Sequence, residues 1–279
     1  MEGALPPDLQ GTLFRIGPRS PWAQRSSGAV DGEELEGRTS GGPGPGAATD
    51  AEAGDRGPDR AGLPIGALHA VEFRDGKAVT YRWSESDADA SVFWHAGSVL
   101  ALPETGLPSQ YSRQLEPQEF GGALSVPIAS HVHRVASDGA RVLFTVDDRG
   151  QTDASSPLEA AEGQPEGIWL RIGEWSAGGA LRTTQAVELE RATWQHDVAV
   201  TSRHVVFIES PTTRLGDPGR HAVPFGWVPG AEGWLGVVPR DGDGTDVRWF
   251  RLDPCLVTHV LGAWEDESSG DIVLYVCRY

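Results

Sequence analysis

Cysteine is almost missing from this sequence: Cys255 and Cys277 are the only two in 279 residues. Two thiols cannot frame a disulfide scaffold, and both lie in apolar, strand-like runs where a reduced, buried thiol is expected. Positive charge is scarce as well, with 23 Lys+Arg against 40 Asp+Glu and a formal net charge of −17. Nucleic acid and anionic membrane surfaces need a positive footprint, so neither is expected as the main partner. No window approaches about 18 consecutive apolar residues, so no segment reads as a membrane span. The opening MEGALPPDLQG has neither the basic region nor the apolar core of a signal peptide, and a soluble, cytoplasmic protein is expected. Helical periodicity is scarce too: only residues 156–162 look briefly helical.

Turn chemistry, in contrast, is plentiful. The chain holds 36 Gly and 20 Pro, about a fifth of its residues. One stretch, residues 20–62, has almost no large apolar side chain and reads as a disordered insertion, because it cannot bury enough surface to offset its ordering entropy. Before it, GTLFRIGP at residues 11–18 reads as a strand ending in a Gly-Pro turn. After it, strand-like runs recur at residues 68–73, 77–83, 98–102, 141–146, 168–175, 204–208, 234–238, 247–252 and 271–277. Asp75-Gly76, Asp138-Gly139, Gly178-Gly179 and Asp241-Gly242 punctuate them as hairpin dipeptides suited to type I′ turns. Many short strands with tight turns define an all-β fold: a sandwich, a barrel or a propeller.

Eight histidines stand out, at positions 69, 95, 131, 133, 196, 204, 221 and 259. His131, His196 and His259 each lie in or beside an apolar run, where an unpaired imidazole is costly to bury. Their spacings, 65 and 63 residues, are nearly equal. Equal spacing is what successive repeats of a radial architecture give, and its axis is where side chains from several repeats can meet on one ion. The plainer alternative is three unrelated core histidines, each bonded to a backbone carbonyl. Imidazole-only ligation suits Zn, Cu, Fe or Ni, and no Cys or carboxylate of ligand spacing accompanies the set. His133 shares a face with His131 in a regular strand and is its rival for the role. His204 and His221 read as solvated turn histidines, while His69 and His95 sit beside strands.

At these residues the sequence resembles the carotenoid cleavage oxygenases, non-haem iron dioxygenases that split conjugated C=C bonds in carotenoids, apocarotenoids and stilbenes. The resemblance is carried by LPPDLQGTLFRIGP from Leu5, by LHAVEF from Leu68 and by VFWHAGSVLALPETGLP from Val92. It continues through SHVH from Ser130, His196-Asp197, and the run from Trp249 through Pro254-Cys255 to His259, all in the family's order. It implies a seven-bladed β-propeller with Fe(II) on the axis, held by four histidines. His131, His196 and His259 fall on the first three ligand positions, and Glu104 on that of a glutamate whose carboxylate accepts a ligand's ring N–H.

The position three after His259, usually Asn in the family, is Gly262, and no counterpart of the fourth ligand histidine or the later glutamates occurs before Tyr279. The resemblance therefore implies residues 1–279 as one incomplete propeller of about four to five blades at about 40–50 residues each. It also implies little or no activity for this chain alone. Expected partners are a lipophilic polyene or stilbene and O2, with membrane contact for substrate uptake but no identifiable segment for it. A non-catalytic propeller scaffold and a three-histidine zinc hydrolase are the other function classes, and metal content separates the three.

Overall fold

The first sheet begins with β1 (Gly11–Pro18), whose expected bounds are the observed ones, in a computed structural model that describes residues 6–18, 66–86, 88, 90–120, 127–148, 167–215 and 225–279. The expected insertion at 20–62, the brief helical window at 156–162 and His221 lie outside the described residues. β1 pairs antiparallel with β2 (Gly66–Arg74), from Gly11 opposite Phe73 to Pro18 opposite Gly66, and β2 pairs with β3 (Lys77–Ser86). These three strands form the sheet of a first compact unit, residues 1–89. Asp75-Gly76 joins β2 to β3 with φ of 48° and 72°, the two positive angles that a type I′ turn demands.

A second unit spans residues 90–279. It opens with β4 (Ser91–His95), β5 (Ser98–Leu102), β6 (Thr105–Gly106), β7 (Ser109–Tyr111), β8 (Pro117–Gln118) and β9 (Ile128–Ala129). There follow β10 (His133–Arg134), β11 (Arg141–Asp148), β12 (Ile168–Trp175), β13 (Leu181–Leu189), β14 (Ala199–Val200) and β15 (His204–Glu209). The unit closes with β16 (Thr212–Arg214), β17 (Phe225–Trp227), β18 (Gly233–Pro239), β19 (Arg248–Leu252), β20 (Val257–Glu265) and β21 (Ile272–Arg278). Three antiparallel four-stranded sheets result, ordered β4-β5-β7-β8, β10-β11-β12-β13 and β14-β15-β18-β19, with a two-stranded sheet β20-β21. Two short pairs interrupt them: in β6-β9, β6 falls between β5 and β7, and β16-β17 falls between β15 and β18.

Of the four hairpin dipeptides, only Asp75-Gly76 makes the expected type I′ turn. In Asp138-Gly139 and Gly178-Gly179 only the second residue has positive φ, because the loops at 135–140 and 176–180 are longer than two residues. Such loops close around a type I turn and need one left-handed residue, not two. Asp241-Gly242 sits within the longer 240–247 loop with positive φ at neither residue. The second two-residue turn is instead Ala96-Gly97, at 47° and 84°, between β4 and β5.

In the second unit β5, β11, β12 and β15 are covered on both faces, so they are apolar at consecutive positions. In β11, Val142 and Phe144 join Leu170, Ile172 and Val187 of the same sheet in a core shared with Val205, Phe207 and Val238 of the next. Leu143, between them, points the opposite way and packs with Leu100, Leu102, Ile128 and Trp175. β15 repeats the device: Val205 and Phe207 face one neighbour, while Val206 joins Ala199, Val237, Val260 and Leu274 on the other side. Strand period two thus turns each apolar run into two packing faces. Each fully buried aliphatic or Phe side chain stabilises the stack by about 1.5–3 kcal/mol. Gly236 allows the closest approach, since a Cβ there would lie 2.1 Å from Cζ of Phe207.

Candidate metal centre

Three irregular or edge segments of the second unit carry the histidines. His131 follows β9, the short strand that pairs with β6. The Ser130 N–H donates to the Glu104 carbonyl (3.2 Å), and its Oγ donates to Glu104 Oε2 (3.3 Å). His196 lies in the irregular segment before β14. The preceding Gln195 is buried and pins that segment, its Nε2 donating to the Ile208 carbonyl (2.9 Å) and to Thr193 Oγ1 (3.1 Å). His259 alone sits inside a regular strand, β20, and its ring is exposed.

The structure brings these three imidazoles together. Nε2 of His196 is 3.2 Å from Nε2 of His131 and 3.2 Å from Nε2 of His259. One nitrogen from each ring lies within 4.8 Å of the other two. The ring planes cross at 67°, 65° and 70°, so the rings fan around a common point rather than stack. Ligand nitrogens held about 2.0–2.1 Å from one ion are separated by about 2.8–3.4 Å at octahedral or tetrahedral angles, so the 3.2 Å spacing fits a metal centre.

Glu104 lies beside His196. Its Oε1 lies 2.6 Å from Nδ1 of His196. A carboxylate oxygen at that distance favours an N–H on Nδ1, the tautomer that frees Nε2 to ligate. Burial, followed by the neighbouring His196 and His259, holds His131 below the usual imidazole range against the opposing pull of Asp197 and Glu104. A neutral ring keeps its lone pair for a cation.

His133 stands apart from the three. Its Nε2 bonds to Oδ1 of Asp197 at 2.5 Å. Sequence reasoning gave Asp197 no role, yet its side chain is only 4% exposed. Burial opposes ionisation of its carboxyl, but the His133 hydrogen bond and charge, the Val260 N–H and His131 outweigh this and hold it below the usual carboxylate range. The available signal was an aspartate directly before the apolar run Val198-Ala-Val, a position that demands buried partners. His204 corrects the solvated reading: it opens β15, and its Nδ1 lies 3.1 Å from Oε1 of the buried Glu265. His95 is buried against Trp175, and burial together with Arg141 holds it below its ordinary value. In the first unit, His69 Nδ1 bonds to the Tyr81 hydroxyl at 2.7 Å. Beside the centre, the Trp194 ring lies 5.0 Å from that of His196 and stacks on Phe225.

Successive antiparallel sheets packed face to face, with histidines from separate segments meeting at one point, define a β-propeller built around a histidine centre. The lignostilbene dioxygenase of Pseudomonas brassicacearum superposes with a TM-score of 0.68 over 99% of this chain and 56% of that one, at 21% identity. In sequence, the retinal pigment epithelial membrane protein family matches residues 66–279, and the chain belongs to that family. A carotenoid cleavage oxygenase of Mycobacterium tuberculosis is 25% identical over 76% of this chain and 54% of its own length. An isoeugenol monooxygenase of Pseudomonas putida is 26% identical over 64% of this chain and 36% of its own length. The chain thus spans about half or less of the curated relatives it matches.

Proposed function

We propose that this chain supplies the iron-binding part of a dioxygenase that cleaves a conjugated C=C bond of a carotenoid, apocarotenoid or stilbene with O2, giving two carbonyl products. The observation that carries the reading is the meeting of the His131, His196 and His259 Nε2 side at 3.2 Å spacings. Those three residues would hold Fe(II), and Glu104 would keep His196 in the tautomer that ligates. Iron, when bound, supplies the activation of O2 toward the double bond.

The remaining steps belong to the protein. Trp194, 5.0 Å from the His196 ring and backed by Phe225, places an aromatic ring beside the centre, where it would help to orient a planar conjugated substrate. Aromatic surface so placed would also help to keep water from the reacting atoms. The names of the relatives, a carotenoid cleavage oxygenase and an isoeugenol monooxygenase, support this substrate class. No helix among the described residues is long and apolar enough to cross a membrane.

Metal content is the direct test. The purified chain is loaded anaerobically with Fe(II), desalted and analysed for metal, then given O2 and a hydroxystilbene or apocarotenoid while polyene absorbance is followed. Stoichiometric iron is expected, and His196→Ala should weaken its binding by more than about 100-fold, beyond the effect of losing an outer partner. Preference for zinc with hydrolytic activity, or no metal in the folded wild-type chain, would overturn the reading.

A further inference from the structure

We propose that Asp197 is the positioning residue of the histidine centre, one buried carboxylate that sets all three ligand-bearing segments at once. The proposal rests on reading the centre as a metal site.

Both carboxylate oxygens are engaged. Oδ1 accepts from Nε2 of His133 (2.5 Å), two residues beyond His131, and from the backbone N–H of Val198 (2.8 Å) in the segment of His196. Oδ2 accepts the backbone N–H of Val260 (2.8 Å), the residue after His259, and lies 3.9 Å from Nδ1 of His131. A single side chain therefore ties β10 and β20, from two different sheets, to the irregular segment before β14. Each tie ends within two residues of a different histidine of the centre.

A simple ion pair with His133 does not account for this arrangement, because the Val260 bond reaches the strand of the third ligand. The charge has a second consequence. Three neutral imidazoles leave a bound dication's charge uncompensated within the ligand set, and Asp197 is a buried anion directly behind His131. Carboxylates behind ligating histidines fix ring orientation and raise ligand basicity, and their loss costs about 10–100-fold in metal affinity.

The test uses the full 279-residue chain with Co(II) as the probe, reading affinity by competition and geometry from the visible ligand-field spectrum, with circular dichroism as the check on folding. Asp197→Asn keeps the size and should lower Co(II) affinity by about 10–100-fold while altering the spectrum of the cobalt that still binds. His133→Phe removes one tie and should weaken binding. His133→Gln, which keeps an N–H donor, should restore most of it. A folded Asp197→Asn protein with wild-type affinity and spectrum overturns the proposal. If that variant does not fold, the His133 pair decides, and equal affinities for wild type and His133→Phe overturn it instead. Absence of Co(II) binding by the wild-type chain would defeat the metal reading itself, and this proposal with it.

Discussion

The stack between the β10–β13 and β14–β19 sheets and the histidine centre are held in opposite ways. The stack is regular strand, apolar and redundant: Phe144, Leu170, Val187 and Phe207 each bury against several neighbours, and no one of them decides the geometry of the rest. The centre is assembled from two irregular segments and one strand, polar and without redundancy, and its segments meet through one buried carboxylate, Asp197. Burial is non-directional and spreads its contribution over area. Hydrogen bonds to a buried charge are directional and concentrate it in a few atoms. Global stability therefore resides in the stack, and functional geometry in the centre.

Truncating the stack at its middle should have the largest effect. Phe144 is fully buried and touches both sheets' cores, so Phe144→Ala removes aromatic surface and leaves a cavity that rigid neighbours cannot fill. A loss of about 3–5 kcal/mol is expected, read from urea unfolding midpoints. A loss below about 1 kcal/mol would show that the two sheets do not depend on this contact. The comparison is sharpened by Gly236→Ala, which adds atoms where Phe144→Ala removes them. The new methyl would fall on the Phe207 ring, 2.1–2.6 Å from its atoms, and must displace it. The expected cost is about 1–3 kcal/mol, with the T-shaped contact of Phe207 with Trp249 disturbed and tryptophan fluorescence shifted.

The same division explains what the sequence revealed. Runs such as those beginning at Arg141, Ile168 and His204 are legible because strand geometry forces consecutive apolar positions when both faces are covered. The family motifs and the near-equal histidine spacing pointed to His131, His196 and His259 as one group, and the structure brings them together. What remained illegible is long-range and side-chain specific. Nothing local says that Asp197 will reach His133 and Val260, 64 and 63 residues away. His204 failed for the same reason. It follows the turn-like Thr201-Ser-Arg, so it reads as solvated, whereas its burial comes from Glu265, 61 residues later. β13, too polar in places to read as a strand, is recruited by the edge of β12.

Glu265 provides the smallest and most selective probe, because it is a polar junction of the kind found at the centre but lies outside it. Its carboxylate accepts from Thr201 Oγ1 (2.6 Å), the Arg203 N–H (3.0 Å) and the Arg203 guanidinium, with His204 Nδ1 at 3.1 Å. Burial opposes the charged form, but these donors outweigh it and bring the carboxyl down to about 2. A carboxyl depressed on folding contributes stability that is present above its unfolded value and is lost as pH falls through its folded value. The window therefore runs from about pH 4.5 down to about pH 2. The stability difference between wild type and Glu265→Gln should be largest above pH 4.5 and should close steadily toward pH 2, in midpoints measured at matched ionic strength. A difference that stays constant across that window would mean that Glu265 contributes through packing rather than charge. In that case this junction behaves like the sheet stack, and the division between apolar and ionic regions would hold only at the histidine centre.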